Sequence, residues 1–301
     1  MLILSRYHLV PAKKTNAEII IVHVNILPSS EYGENQYYGE FYDQIISSAN
    51  DRLDSLMGVK FLKGLKVSKQ IISNMLLHEA VVDERFKNVD LIVVGSHGES
   101  GFSKVFIGSN TEKVVRMAEA PVLTIKEEFA DFNIRNIVFA SNFYGESYAS
   151  FNKIKFFADL YKAHINLLKV ITPKDFEPTP VSKKLMDDFA RKLKLPDYTI
   201  NIYNDTIIEK GITDFSNDVS ADLIAIETHG RTGIAHLING SLAEDVAMHE
   251  DRPVLSVKIK EYPEHIAGTR WYLDKINKTH SEFKGSSSGK EIKHYPKFSS
   301  I

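Results

Sequence analysis

The feature that most constrains this chain is that it repeats itself. Residues 88–126, NVDLIVVGSHGESGFSKVFIGSNTEKVVRMAEAPVLTIK, lie without a gap over residues 220–258, SADLIAIETHGRTGIAHLINGSLAEDVAMHEDRPVLSVK, at an offset of 132. Asp90 falls on Asp222, His97 on His229, Gly98 on Gly230, Gly108 on Gly240, Ser109 on Ser241, Glu112 on Glu244 and Pro121 on Pro253. A second block, residues 17–24, matches residues 163–170 at an offset of 146, so the first copy holds 14 extra residues between the two blocks. The stretch 31–42, flanked by Pro28 and carrying Gly33 and Gly39, has the composition of a loop and is where they are expected. The apolar run at residues 134–142 that opens the second copy has no counterpart in the first.

Within the second copy, strand and helix patterns alternate. Strands are expected at 134–139, 165–170, 198–203, 223–226 and 254–258, with helices at 148–161, 181–193, 207–219 and 242–249. Such alternation builds a parallel sheet covered on both faces, and continuous Ile, Leu and Val runs fit strands buried on both sides. The expected class is α/β, two doubly wound domains in tandem, at residues 1–127 and 132–260. The polar stretch 126–132 links them. Residues 261–301 contain GSSSG and no sustained period, so an irregular tail is expected, with a short amphipathic helix at 269–276 anchored by Trp271 and Leu273.

With 37 basic against 39 acidic residues the net charge is −2, which supplies no global field to draw the chain to nucleic acid or an anionic membrane. There is no cysteine, which removes disulfide and thiolate chemistry. Apolar runs are strand-length, well short of the roughly 20 residues of a spanning helix. The opening MLILSRYHLVPAKK is broken by Pro11 and reads as part of the fold rather than a leader. A cytoplasmic protein is expected.

The chemistry lies in the turn after the fourth strand of each copy. In the first copy LIVV runs into Gly95-Ser-His-Gly98, then through nine residues to Gly108-Ser109 and a helix. Glycine lets backbone come close to a ligand, and a helix start offers unpaired N–H groups to an anion. Ser109 with Glu112, and Ser241 with Glu244, also form S-x-x-E capping boxes, which need no ligand. His97 and His229 lack an accompanying acid or second histidine, and Lys104 and Arg231 read as solvated charge. No G-x-x-x-x-G-K-(S/T) is present, which argues against a P-loop ATPase.

The pattern G-x2-G-x9-G-(S/T) after a buried strand, followed by a helix and P-V-L-x-(I/V)-K, resembles the universal stress protein family in its tandem form. The resemblance covers residues 12–260 and implies a Rossmann-like fold. It also implies an adenine-nucleotide site in which the first strand ends in an Asp against the base, the second strand's end lies by the base, and the Gly motif holds ribose and phosphates. Carried over by position, the first copy offers Val24, Val94, Gly95, Gly98, Gly108, Ser109 and Asn110. The second offers Ala140, Asn142, Val170, Gly230, Gly240 and Ser241, with Ser141 and Leu242 beside them. Asn142 stands where binding members have Asp, and Glu227 where the motif has its first Gly. The H-x-G-H of related nucleotidyl transferases is missing, since Glu99 follows Gly98 and Arg231 follows Gly230.

Deleting a central strand would strip its neighbours of ladder partners. Either Leu2, Ile3 and Leu4 stand in for it or the natural start lies upstream. The resemblance implies ATP with magnesium, bound weakly or in one domain, with little or no hydrolysis. It also implies an intramolecular pseudo-dimer, joined edge to edge through residues 122–125 and 254–257, and it leaves homodimers and unknown protein partners open. The alternative is a nucleotide-independent interaction module with degraded sites. A flavin-dependent electron carrier is a more distant reading.

Overall fold

The computed structural model describes residues 10–26, 36–95, 109–126, 133–143, 147–229 and 242–259. The expected helix and tail beyond residue 260, and the run Leu2 to Leu4, lie outside them.

The first copy contributes α1 (Val10–Thr15), β1 (Glu18–Asn25), α2 (Gln36–Met57), β2 (Lys66–Ser73), α3 (Leu77–Ala80), β3 (Ile92–Gly95), α4 (Ser109–Met117) and β4 (Val122–Ile125). The second contributes β5 (Asn136–Ala140), α5 (Ser147–Tyr161), β6 (His164–Ile171), α6 (Thr179–Leu193), β7 (Tyr198–Asn204), α7 (Ile208–Asp218), β8 (Leu223–His229), α8 (Leu242–His249) and β9 (Val254–Ile259). Four helices that feed strands, α1, α5, α6 and α7, end alike. Asn16, Lys162, Lys194 and Ser220 all take positive φ near +50°, and the next amide reaches back to a carbonyl five residues earlier, as in Ala163 N–H to Ala158 at 2.9 Å. This six-to-one bond closes the helix and turns the chain into the sheet.

One expectation needs correcting. Residues 36–42 are helical: α2 runs 22 residues, where its counterpart α6 runs 15, so part of the insertion lengthens a helix. Extending an existing helix adds one hydrogen bond per residue fixed, and Gly39 is tolerated there with open space around it.

Seven strands form one sheet in the order β3-β4-β9-β8-β5-β6-β7, parallel except where β4 meets β9. That junction is antiparallel: Leu123 opposes Leu255, its own counterpart in the repeat, while Val122 opposes Ser256 and Thr124 opposes Val254. The contact is therefore isologous, as at a two-fold axis. The core continues across it, with Val114, Val115 and Val122 from one copy packed with Val246, Ala247 and Val254 from the other.

In the second copy β5 lies between β6 and β8, and Ile137, Val138 and Phe139 are fully buried. Phe139, Phe143, Phe151 and Phe189 pack edge-on or stacked, with centroids 4.9–5.9 Å apart. In the first copy β1 and β2 form a separate two-stranded sheet, and among the described residues no strand lies between β1 and β3. Its core is small: Ile21, Leu53 and Leu62 with a rim of partly buried side chains. Leu77 and Val81, in and after α3, anchor this part to the main core.

Thr124 and Ser256, counterparts on one face of the junction, are 1% and 2% exposed, and neither hydroxyl has a hydrogen-bond partner. A buried unpaired hydroxyl costs about 1–3 kcal/mol. Replacing both with apolar groups, Thr124→Val with Ser256→Ala, should raise the urea midpoint, for a gain of about 1–2 kcal/mol. A lower midpoint would show that the hydroxyls stabilise the junction.

Candidate functional site

The candidate sites stand where strands deliver their carboxyl ends to helix starts, the place where open α/β sheets bind ligands. In the second copy β5 ends at Ala140, which is buried, and Ser141 and Asn142 follow half-buried. The Ser141 amide donates to the Leu168 carbonyl of β6 at 3.2 Å, and its Oγ accepts from the Phe143 amide at 3.0 Å. Val170 lies half-buried near the end of β6. Above it α7 comes close because residue 211 is glycine: a Cβ there would stand 2.7 Å from Val170 Cγ1 and 3.2 Å from Asp205 Cβ.

Glu227, on β8, is 9% exposed. Ser141 Oγ donates to its Oε2 at 2.7 Å, and Ser150 Oγ, from α5, donates to Oε1. The carboxylate thus ties β8 to the β5–α5 turn. Charge-assisted hydrogen bonds of this kind make a buried carboxylate tolerable. The repeat alone makes Glu227 a misfit for phosphate; the two serines that satisfy it emerge only from the fold.

The same position in the first copy is Gly95, half-buried at the end of β3. Its carbonyl accepts from Thr111 Oγ1 of α4 at 3.2 Å, holding the helix start against the strand end. The second copy has Ala243 at that place and cannot make this bond. Val94 is buried, Val24 is half-buried, Ser109 opens α4 and Asn110 is exposed in its first turn. Beside Val24, both side-chain polar atoms of Asn25 are buried without a hydrogen-bond partner. Gly98, Gly108, Gly230, Gly240 and Ser241, together with His97, Lys104 and Arg231, lie outside the described residues. His229 is the last residue of β8, and Leu242 opens α8.

At the rim, burial alone would push the Asp205 carboxyl up; hydrogen bonds from the Thr206 and Ile207 amides and from Lys210 outweigh it and hold the group low. Burial pushes the Tyr148 phenol up, with the Asp188 charge adding to it. Among the described residues no group of three or more His, Asp or Glu is placed to hold a metal ion.

The sequence profile described as "Universal stress protein family" matches residues 6–126 and 133–258. The chain belongs to the universal stress protein family. Universal stress protein MJ0577 of Methanocaldococcus jannaschii is 26% identical over 93 residues, 31% of this chain and 57% of that protein. Universal stress protein MJ0531 of the same organism is 33% identical over 64 residues, 21% of this chain and 38% of that protein. The chain thus spans little more than half of one relative's length and less than half of the other's. A universal stress protein structure from Archaeoglobus fulgidus superposes over 85% of this chain and 91% of its own, with a TM-score of 0.65 at 19% identity. That likeness establishes the fold, two Rossmann-like α/β domains in tandem.

Two substitutions probe how the second mouth is held. Ser150→Ala should cost about 1.5–3 kcal/mol in urea unfolding, the range for a hydrogen bond to a charged group. Gly211→Ala should destabilise as well. Alanine's gain of about 1 kcal/mol in helix propensity is outweighed by overpacking of about 1–3 kcal/mol against Val170. A melting temperature unchanged or raised in either variant would contradict the contacts described.

Proposed function

We propose that this universal stress protein binds an adenine nucleotide, ATP with magnesium, weakly and in its first copy alone. The observation that carries the reading is the Gly95/Glu227 difference at one repeat position. A carboxylate at the mouth of the second copy repels the like charge of a triphosphate, whereas Gly95 adds neither bulk nor charge. In this reading Gly95, Gly98, Gly108, Ser109 and Asn110 would hold ribose and phosphates by backbone N–H groups and the start of α4. Val24 would lie by the base, and Asn25 offers it an unpaired carboxamide. The nucleotide would supply a charged, exchangeable ligand, and binding is the activity proposed.

A second reading, a nucleotide-independent interaction module, is favoured by the two-stranded sheet in the first copy. The wall that a central strand would supply to a base is missing there among the described residues.

Calorimetric titration with ATP and magnesium separates the two. The expected outcome is one nucleotide per chain with Kd on the order of 1 mM, about 4 kcal/mol of binding free energy. Gly95→Glu, which copies the second domain's residue into the first, should abolish the heat while the circular dichroism spectrum persists. Glu227→Gly should leave the first site intact. No heat from the parent chain at millimolar nucleotide would move the case to the interaction module.

A further inference from the structure

β7 ends the seven-stranded sheet, and among the described residues no strand pairs with its far side. Its seven residues, YTINIYN, are rich in strand formers and contain no charge, no proline and no glycine. The register against β6 runs without a bulge from Ile165 opposite Tyr198 to Ile171 opposite Asn204. Edge strands are ordinarily blunted by lysine, proline or a bulge, because an open edge is a template for pairing with another chain. The repeat supplies a comparison. At the offset of 132 the same positions fall on β2, KVSKQIIS, which has Lys66 in place of Tyr198 and Lys69 in place of Asn201. One half of the chain guards this edge with charge and the other does not.

The ladder fixes which main-chain groups point outwards. The Ile165 amide donates to the Asp197 carbonyl at 3.2 Å, and the Asp205 amide donates to the Ile171 carbonyl at 3.2 Å. Alternate residues of a strand bond the same neighbour, so Thr199, Asn201 and Tyr203 turn to β6 while Tyr198, Ile200, Ile202 and Asn204 present N–H and C=O groups to the far side. Side chains hold the strand in this setting: Asn201 Nδ2 donates to the Leu167 carbonyl at 3.2 Å, and Thr199 Oγ1 donates to Asn166 Oδ1 at 2.9 Å. The sequence also reads nearly alike in both directions about Asn201. Antiparallel pairing of two β7 strands centred there sets Ile200 against Ile202, Tyr198 against Asn204 and Thr199 against Tyr203, each of them twice. The outward-facing residues then form the hydrogen-bonded pairs.

We propose that β7 is a self-association edge, through which two molecules of this chain join antiparallel along residues 198–204 and run their seven-stranded sheets together. The partner is a second molecule because the strand complements itself, isoleucine meeting isoleucine with no charge in the paired stretch. Such a contact is isologous and closes at two, as the β4–β9 junction does within one chain. The flanking acids limit its length. Asp197 and Asp205 come level with each other beyond the paired stretch, and each is already engaged, Asp197 with His164 Nδ1 at 2.7 Å and Asp205 with the Thr206 and Ile207 amides. The β2 edge, with its lysines, is not selected. The association needs no nucleotide.

Sedimentation of the full chain over about 1–100 μM reads the association, and a contact at the small end of interface sizes gives a dimer Kd on the order of 10 μM. Two variants place it on β7. Ile200→Pro removes an outward N–H without taking a bond from β6, and Asn201→Lys copies the residue of β2 and sets like charges face to face. Each should weaken dimerisation at least about tenfold while the circular dichroism spectrum matches that of the parent. Hydrogen exchange of the parent chain needs no variant to fold: amides of residues 198–204 should slow as chain concentration rises, and those of residues 66–73 should not. A parent chain that stays monomeric throughout overturns the proposal, as does association that survives either folded variant or grows past the dimer. Exchange at residues 198–204 indifferent to chain concentration overturns it too.

Discussion

The structure depends on one short antiparallel contact. Parallel sheets grow by crossover connections and leave an edge at each end. Here the last strand of each copy meets the other across an axis through Leu123 and Leu255, and two edges vanish together. The geometry is economical because repeated sequences are self-complementary once rotated: Val122 finds Ser256, and Thr124 finds Val254. The helices α4 and α8 are brought together by the same rotation, and a single core then serves both copies. A tandem duplication thereby acquires in one chain the closed symmetry that separate subunits reach by association.

From that shared seam the copies diverge. The second is complete: a buried central strand, an aromatic cluster against it, and helices on both faces. The first keeps the seam and the Gly-rich strand end, but its outer half is a hairpin-sized sheet with a small core. Stability is accordingly expected to be graded from the seam outwards, because local opening follows the number of buried apolar partners rather than the presence of secondary structure.

Much of this was legible in the residues. Apolar runs locate the second copy's strands to within two or three residues, because uninterrupted Ile and Val runs have few alternatives in a two-sided sheet. The edge-to-edge seam followed from the family resemblance, and the repeat itself exposed the missing strand opposite residues 134–142. The insertion is only partly legible, since Tyr, Gly and Glu in residues 36–42 carry no strong local preference and an adjoining helix propagates through them. The site was less legible. Glu227 could be flagged as out of place, but not its partners: Ser141 follows a strand, Ser150 lies on a helix, and only the fold brings both within reach of one carboxylate. Thr111 and Asn25 were equally silent, because a hydroxyl or carboxamide in an apolar context has no periodic signature.

The position shared by Gly95 and Glu227 ties these differences together. A glycine there adds no side chain, and its carbonyl accepts from Thr111 Oγ1 of α4. A glutamate fills the space and turns the same ground into a clamp between β8, the β5–α5 turn and α5. The clamp suits a domain whose central strand is present, because Ser141 stands at that strand's end and Ser150 on the helix that follows it. Among its described residues the first copy shows neither such a strand nor a Ser141 counterpart to satisfy a carboxylate, and a buried unpaired charge would be far costlier than a glycine. Glycine at 95 and glutamate at 227 are thus each consistent with the described partners of their own domain.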